Sequence, residues 1–423
     1  MKTHSFLLFL VILFLKIPYT FSQFEFSGEF RPRSEYSHGY GSLADTDQKA
    51  SFFTNQRTRL NFKYQAERFS TSLVLQDVRL WGSQPQLVNN QDFATSVHEA
   101  WFQYELMNDF YLKAGRQELS YNDHRIFGNV GWAQQGRSHD LLLLKYESDL
   151  KVHMGLAYHE NSDRTNNFYF GPDAYKAMQF LWVNMQLDQL DASFLILNNG
   201  IPVTEQTNPS GSVIEQGISY SQTLGPVLNF KEDDWGASFS AFFQGGKDGS
   251  ENTLRAWYGN LEGSLNLNED VVAFAGYEFL SGTPWDETEV NRSFTPFYGT
   301  NHKFNGYMDY FFVGNHINNV GLGDIYLKGK WNLNDISLNG DLHFFHAAAK
   351  INPDAGSYLG TELDLSAVWN IEENIKLDWG YSQLFATESM ELLKRGDRGE
   401  IQNWFWIMIT IKPTFFKSGR EQQ

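Results

Sequence analysis

Along most of the chain, polar and apolar side chains alternate with a period of two over segments of roughly ten residues. Ile375, Leu377, Trp379 and Tyr381 fall on one face of such a segment, with Lys376, Asp378 and Gly380 on the other. Leu363, Leu365, Ala367 and Trp369 oppose Glu362, Asp364, Ser366 and Asn370, and Ile336, Leu338, Leu342 and Phe344 oppose Ser337, Asn339, Asp341 and His343. Successive strand residues point to opposite faces, so each segment offers one face to an apolar medium and the other to water. Eighteen strands are predicted, over 24–36, 51–65, 69–80, 96–106, 109–119, 139–147, 150–159, 178–188, 190–198, 213–223, 235–244, 254–266, 270–280, 321–333, 335–346, 358–370, 373–385 and 401–413.

The connections carry a second pattern. They are long after odd-numbered strands and a few residues at most after even-numbered ones, 224–234 excepted. Outer-membrane barrels have short periplasmic turns and long outer loops, and an even strand count returns both termini to the periplasm. The expected fold is therefore all-β: one transmembrane antiparallel β-barrel of about 18 strands, with short periplasmic turns and long extracellular loops, over residues 23–423. Lys2 ahead of the apolar run Phe6 to Leu15, then Thr20-Phe21-Ser22, marks residues 1–22 as a signal peptide. That run is too short for a membrane helix, and no later apolar run is long enough for one. The cell outer membrane is the expected location, with its lipid as a partner. Asn199-Gly200 and Asn305-Gly306 read as turns in long loops. The loop 281–320, rich in aromatics from Trp285 to Phe312, is expected to fold over or into the lumen as a constriction.

Composition adds three things. Cysteine is absent, so neither a disulfide nor a cysteine-borne lipid anchor is available. Aromatic residues make up 16% of the chain and Gly is frequent, which suits many two-faced strands better than one thick core. The net charge of −17 is unevenly spread: residues 1–140 hold 14 basic and 14 acidic side chains, the remainder 19 and 36. Without a basic domain, nucleic acid is excluded as a partner.

Local charge is more informative, because nine of the fifteen arginines lie within the first 140 residues. If Phe24, Phe26 and Phe30 face lipid, then Glu25, Glu29, Arg31 and Arg33 face the lumen. In the second strand Leu60, Phe62 and Tyr64 face out, and Arg57, Arg59, Asn61 and Lys63 face in. The fourth strand turns Glu99, Gln103 and Glu105 inward. Guanidinium groups spaced two residues apart form a ladder of planar forks suited to carboxylate or phosphate oxygens, and rings of Arg and Lys favour anions in pores. The competing reading is bracing of the wall, in which Glu25, Glu29, Asp77 and Glu99 pair with these arginines.

Two stretches resemble the alginate export family of outer-membrane proteins in its Bacteroidetes-type form. One runs Lys113-Ala114-Gly115-Arg116-Gln117-Glu118-Leu119, then Asp123, Arg125, Phe127 and Gln135-Gly136-Arg137-Ser138-His139-Asp140. The other runs from Tyr298-Gly299-Thr300-Asn301-His302 through Gly314-Asn315-His316 to Asn319-Val320-Gly321-Leu322. The resemblance implies a monomeric porin that passes an anionic polysaccharide or oligosaccharide through an arginine-containing lumen, with periplasmic export partners. It places Arg116, Asp123, Arg125 and Arg137 near the pore mouth, and these with Lys113 join Arg31, Arg33, Arg57, Arg59, Lys63 and Glu99 of the inward faces as the expected pore-lining residues. Strict alternation from Phe110, Leu112 and Ala114 would put Arg116 on lipid, so a bulge is expected to shift the register there. A channel for small anionic nutrients is the alternative within transport; a barrel-embedded enzyme or a surface adhesin is the alternative outside it. No catalytic residue, metal or cofactor is expected. Gly-x-Ser-x-Gly is absent, and His343 and His346, three apart in a strand, face opposite sides.

Overall fold

The computed structural model describes residues 22–84, 86, 95–160, 175–207, 209, 213–316 and 319–418, so the signal peptide expected at 1–22 lies, but for Ser22, outside the described residues. The wall is made of eighteen antiparallel strands: β1 (Gln23–His38), β2 (Ser51–Gln65), β3 (Phe69–Leu80), β4 (Thr95–Met107), β5 (Phe110–Gln117), β6 (His139–Glu147), β7 (Leu150–Tyr158), β8 (Ala177–Leu187), β9 (Leu190–Thr207), β10 (Val213–Lys231), β11 (Trp235–Lys247), β12 (Thr253–Asn266), β13 (Val271–Leu280), β15 (Leu322–Leu333), β16 (Ile336–His346), β17 (Tyr358–Glu372), β18 (Ile375–Ala386) and β19 (Gln402–Ile411). The short β14 (Val290–Asn291) lies in the longest loop, and β20 (Thr414–Lys417) continues β19 past Pro413. Pairing of β1 with β2 on one side and with β19 and β20 on the other closes the sheet, which leaves no strand edge exposed to lipid.

The sequence reading of this architecture holds, and its one irregularity disappears. Residues 199–207 and 224–231, parts of what the pattern read as an outer loop and a long inner connection, are strand: β9 and β10 pair from Val213↔Thr207 to Phe230↔Leu190. Asn199-Gly200 is therefore no turn but part of that ladder, opposite Ser221 and Tyr220. Gly and Pro misled the reading. Gly225 is required because a Cβ there would lie 1.8 Å from the carbonyl oxygen of Ala241.

The outward positions sort by height. Phe24, Tyr64, Trp235 and Trp331 sit near the periplasmic strand ends, Phe52, Tyr158, Trp257 and Phe385 near the outer ends, and Leu60, Met154, Leu181, Leu327 and Leu365 between them, all exposed. Two aromatic girdles flanking an aliphatic belt are what a barrel in a bilayer presents. No soluble monomer of ordinary kind exposes so continuous an apolar band.

Arg116 corrects an expectation. The β4–β5 ladder runs Phe102↔Ala114, Trp101↔Gly115, Ala100↔Arg116 with no shift of register, so Arg116 stays on the outer face and does not line the pore. It sits one residue from the outer end of β5, where it pairs with Asp140 at 2.9 Å and donates to the Val97 carbonyl at 3.1 Å. The cost of a charge on the lipid face falls to about 0–1 kcal/mol near the interface, so no bulge is needed.

Height on the wall should therefore decide the effect of an outward charge. Leu327→Arg, in the middle of β15, is expected to lower stability by about 2–4 kcal/mol, and Arg116→Leu to change it by less than about 1 kcal/mol. Urea unfolding in lipid vesicles measures both.

Candidate functional site

The inner face of β1 and β2 carries the arginines at the predicted register: Arg31, Arg33 and Arg57 are each under 8% exposed. Arg31 lies directly opposite Arg57 across the pair, and like charges facing one another destabilise a sheet unless something offsets them. Part of the offset is bracing. Glu29 accepts from Arg57 Nε at 2.6 Å, Glu35 accepts from Arg33 Nε at 2.8 Å, and Arg59 meets Gln76 Oε1 at 2.7 Å and Glu118 at 3.8 Å. Asp77, expected among the bracing acids, faces outward with Arg79, and Glu99 accepts instead from Trp101 Nε1 and the Glu118 amide.

The remainder of the offset comes from a loop. Outer loop 118–138 folds into the lumen and presents its carbonyls to the forks. Arg31 donates to the carbonyl oxygens of Gly131 (2.7 Å), Trp132 (3.2 Å) and Ala133 (3.0 Å) and to Gln134 Oε1 (3.1 Å). Arg33 donates to Trp132 O at 3.0 Å with its guanidinium 4.2 Å from the Trp132 ring, and Arg57 reaches Ala133 O at 3.3 Å. A guanidinium presents five donors and no acceptor, so a run of backbone carbonyls is a natural partner when carboxylates are few.

The arc of wall from β13 to β17 has the complementary chemistry. Glu278, Asp324, Asp341, Glu362 and Asp364 face inward from β13 and β15–β17 and are buried. Their positions were legible as the polar faces of those strands, but their charge was not read as part of a site. Outer loop 281–321 folds in against them and offers donors: the Met308 amide to Glu362 Oε1 at 2.8 Å, the Tyr307 amide to Asp364 Oδ2 at 3.3 Å, and the Asn305 side chain to Glu278 and to Asp324 at 3.2 Å. Asn305-Gly306 makes the predicted turn, with φ of 54° and 80°. Only glycine fits at 306, since a Cβ would come within 2.6 Å of the Glu362 carboxyl.

The two loops then meet in mid-lumen. The Gly128 amide donates to Tyr298 O at 2.9 Å, the Thr300 amide to His124 O at 2.9 Å, and Arg137 to Gly299 O at 3.0 Å. The Trp132 ring stacks on His302 at 4.6 Å. Arg125, placed by the motif near the mouth, lies within this junction: its Nε is 3.2 Å from Glu278 Oε1, both residues are under 4% exposed, and Phe304 covers it at 4.4 Å. Around this junction Tyr121, Phe127, Tyr298, Met308 and Tyr310 form an apolar core inside the barrel. Of the other predicted pore residues, Lys113 faces inward with its ammonium 3.9 Å from the Trp101 ring, Lys63 lies on the inner face opposite Glu25, and Asp123 lines a cavity below the loops.

The sequence matches no known family model and no curated protein. Among solved structures, the fold is similar to OccAB4 of Acinetobacter baumannii, with a TM-score of 0.61 and 11% identity over 92% of this chain and 98% of that one. OpdL of Pseudomonas aeruginosa gives 0.59 and 12% over 94% and 99%, and OccD3 (OpdP) of the same species 0.58 and 12% over 92% of each. At this identity the likeness carries the fold. The chain has the closed eighteen-stranded barrel of the outer-membrane porins and resides in the outer membrane.

Two predictions follow from the contacts. Arg31→Ala removes the largest clamp on residues 131–134 and leaves the Gly131 carbonyl without its donor, while Arg33 and Arg57 still reach Trp132 and Ala133, so docking of that loop should weaken by about 2 kcal/mol. Hydrogen exchange of the loop amides should then quicken at least about tenfold while that of the β1–β2 ladder stays unchanged. Above the loops, Lys394 on the short helix Glu388–Lys394 donates to Asn315 O at 2.9 Å, and burial pushes its ammonium down to about 7. A lysine depressed in the folded state makes folding least favourable below about pH 7 and progressively more favourable as pH rises toward the unfolded value of about 10.4. Thermal melts should therefore shift upward between pH 6.5 and 9.5, and Lys394→Met should flatten the shift.

Proposed function

We propose that the protein is a passive channel for small acidic solutes, and that Arg31, Arg33, Arg57 and Arg59 are the groups its cargo meets at the constriction. One observation supports this above the others. The Arg31, Arg33 and Arg57 guanidinium groups are held by neutral backbone carbonyls as much as by carboxylates, and a solute carboxylate is the stronger, charge-assisted partner for the same forks. Cargo that reaches Arg31 and Arg57 takes over the donors that bind 131–134, and the loop gives way. Arginine here braces and selects with the same atoms, so the two sequence readings merge.

The motif resemblance favours a second reading, passage of an acidic polysaccharide with periplasmic partners feeding the pore. Two of its motif residues are committed elsewhere, Arg116 to the outer surface and Arg125 to Glu278. The interlocked loops also favour a small solute over a polymer, which would have to hold both loops aside along its whole length. A monomer suffices for either reading, because one chain contains the complete lumen, and catalysis has no place in either.

Planar-bilayer conductance under a salt gradient tests the proposal. Anion-selective current is expected, interrupted more by small dicarboxylates than by oligouronates, and lowered in selectivity by Arg57→Gln with Arg59→Gln. Cation-selective current, or selectivity that the double variant leaves unchanged, would remove the proposal.

A further inference from the structure

Below the junction of the two loops lies a cavity of about 110 Å³. Asn229, Ser238 and Glu262, within a few residues of the periplasmic ends of β10, β11 and β12, form its lower wall, and the loop residues Asp123, Lys303 and Phe304 form its roof. Lys328 and Tyr326 close one side from β15.

The charges of this cavity differ in kind from those of the constriction. Glu278 and Asp324 also border it, but Arg125, Asn305 and His343 already engage them. That leaves four charged side chains, Lys303 and Lys328 against Asp123 and Glu262, none of which enters an ion pair among the described residues. They sense one another nonetheless. Burial and Lys328 hold the Lys303 ammonium below the ordinary lysine value, while Asp123 and Glu262 act to raise it. Its ammonium is fixed from the loop side by a 2.8 Å hydrogen bond to the Asp123 carbonyl, and Lys328 lies 4.4 Å from the Tyr326 ring. Two cations and two anions, partly desolvated and facing a shared space, disfavour either charge alone. A simple carboxylate gains the lysines but meets Asp123 and Glu262; a simple amine gains the carboxylates but meets Lys303 and Lys328. A solute bearing both groups satisfies both pairs, and leaving one charge of such a set unmatched is the costlier outcome.

We propose that this cavity is a binding site for a small zwitterion of the amino-acid class, its carboxylate toward Lys303 and Lys328 and its ammonium toward Asp123 and Glu262. Asn229, Asn260 and Ser238 supply neutral hydrogen bonds around the remainder of the solute. The inference rests on the channel reading and narrows its cargo from acidic solutes in general to those that also carry an amine. It also accounts for a lumen that is not simply basic in a chain whose later two-thirds are acidic.

Isothermal titration calorimetry on the purified full-length protein in detergent provides the test, with norvaline and 5-aminopentanoate as zwitterions and pentanoate and pentylamine as single-charge probes of equal carbon count. At least one zwitterion should bind about tenfold or more tighter than either single-charge probe, the difference that one unmatched charge makes. Glu262→Gln should bring the zwitterion down to pentanoate, and Lys303→Gln should bring it down to pentylamine. Pentanoate or pentylamine binding as tightly as both zwitterions to the unaltered protein, or no binding by any probe, overturns the site whether or not the variants fold. Conductance of the same preparation separates the two readings. Salt current without zwitterion preference leaves the channel and removes the site; zwitterion binding without current keeps the site and removes the channel.

Discussion

The lumen is governed by a match between two kinds of wall and two kinds of backbone group. β1 and β2 present guanidinium donors, and loop 118–138 answers with carbonyl oxygens. β13 and β15–β17 present carboxylate acceptors, and loop 281–321 answers with amides and the Asn305 side chain. Irregular backbone at membrane depth is tolerated only where its polar groups find partners, and here each loop finds them on the wall of opposite chemistry. The wall charges need the loops in turn, since Arg31 opposite Arg57 and Glu362 close to Asp364 would repel without the groups inserted between them.

This arrangement explains why net charge says little about the cargo. Most of the inward arginines and several inward carboxylates serve as anchors. What a solute experiences depends on the charges left over and on how readily the anchors exchange partners. Guanidinium-to-carbonyl contacts exchange more readily than the buried Arg125–Glu278 pair, so residues 131–134 of loop 118–138 are the movable part and the junction at Arg125 the fixed one.

The outer surface obeys a simpler constraint. Lipid requires apolar side chains at every second position of every strand over the height of the hydrocarbon, and relaxes that demand at the rim, where Arg116 and Asp140 pair in the open. The same rule that placed Arg31, Arg57 and Glu99 inward placed Arg116 outward, and the expectation of a bulge arose from applying the mid-bilayer penalty to a residue at the strand end.

From the sequence alone, strand number, strand direction and the face of most strand side chains, Arg116 and Asp77 apart, were legible, because lipid on one side and water on the other impose a period of two that a one-residue slip would invert along the whole strand. Where Gly200, Pro202, Gly225 and Pro226 interrupted that signal, neighbouring strands on both sides held the backbone extended, and only the closed sheet revealed it. The turn at Asn305-Gly306 was legible because its conformation is local. The destination of that turn, the capture of loop 118–138 by the arginines, the burial of Arg125 on Glu278 and the gathering of Lys303, Lys328, Asp123 and Glu262 around one cavity were decided by tertiary structure. Each joins residues far apart in sequence through hydrogen bonds across the lumen, and no local period or spacing encodes which carbonyl a guanidinium will meet on the far side of a closed barrel.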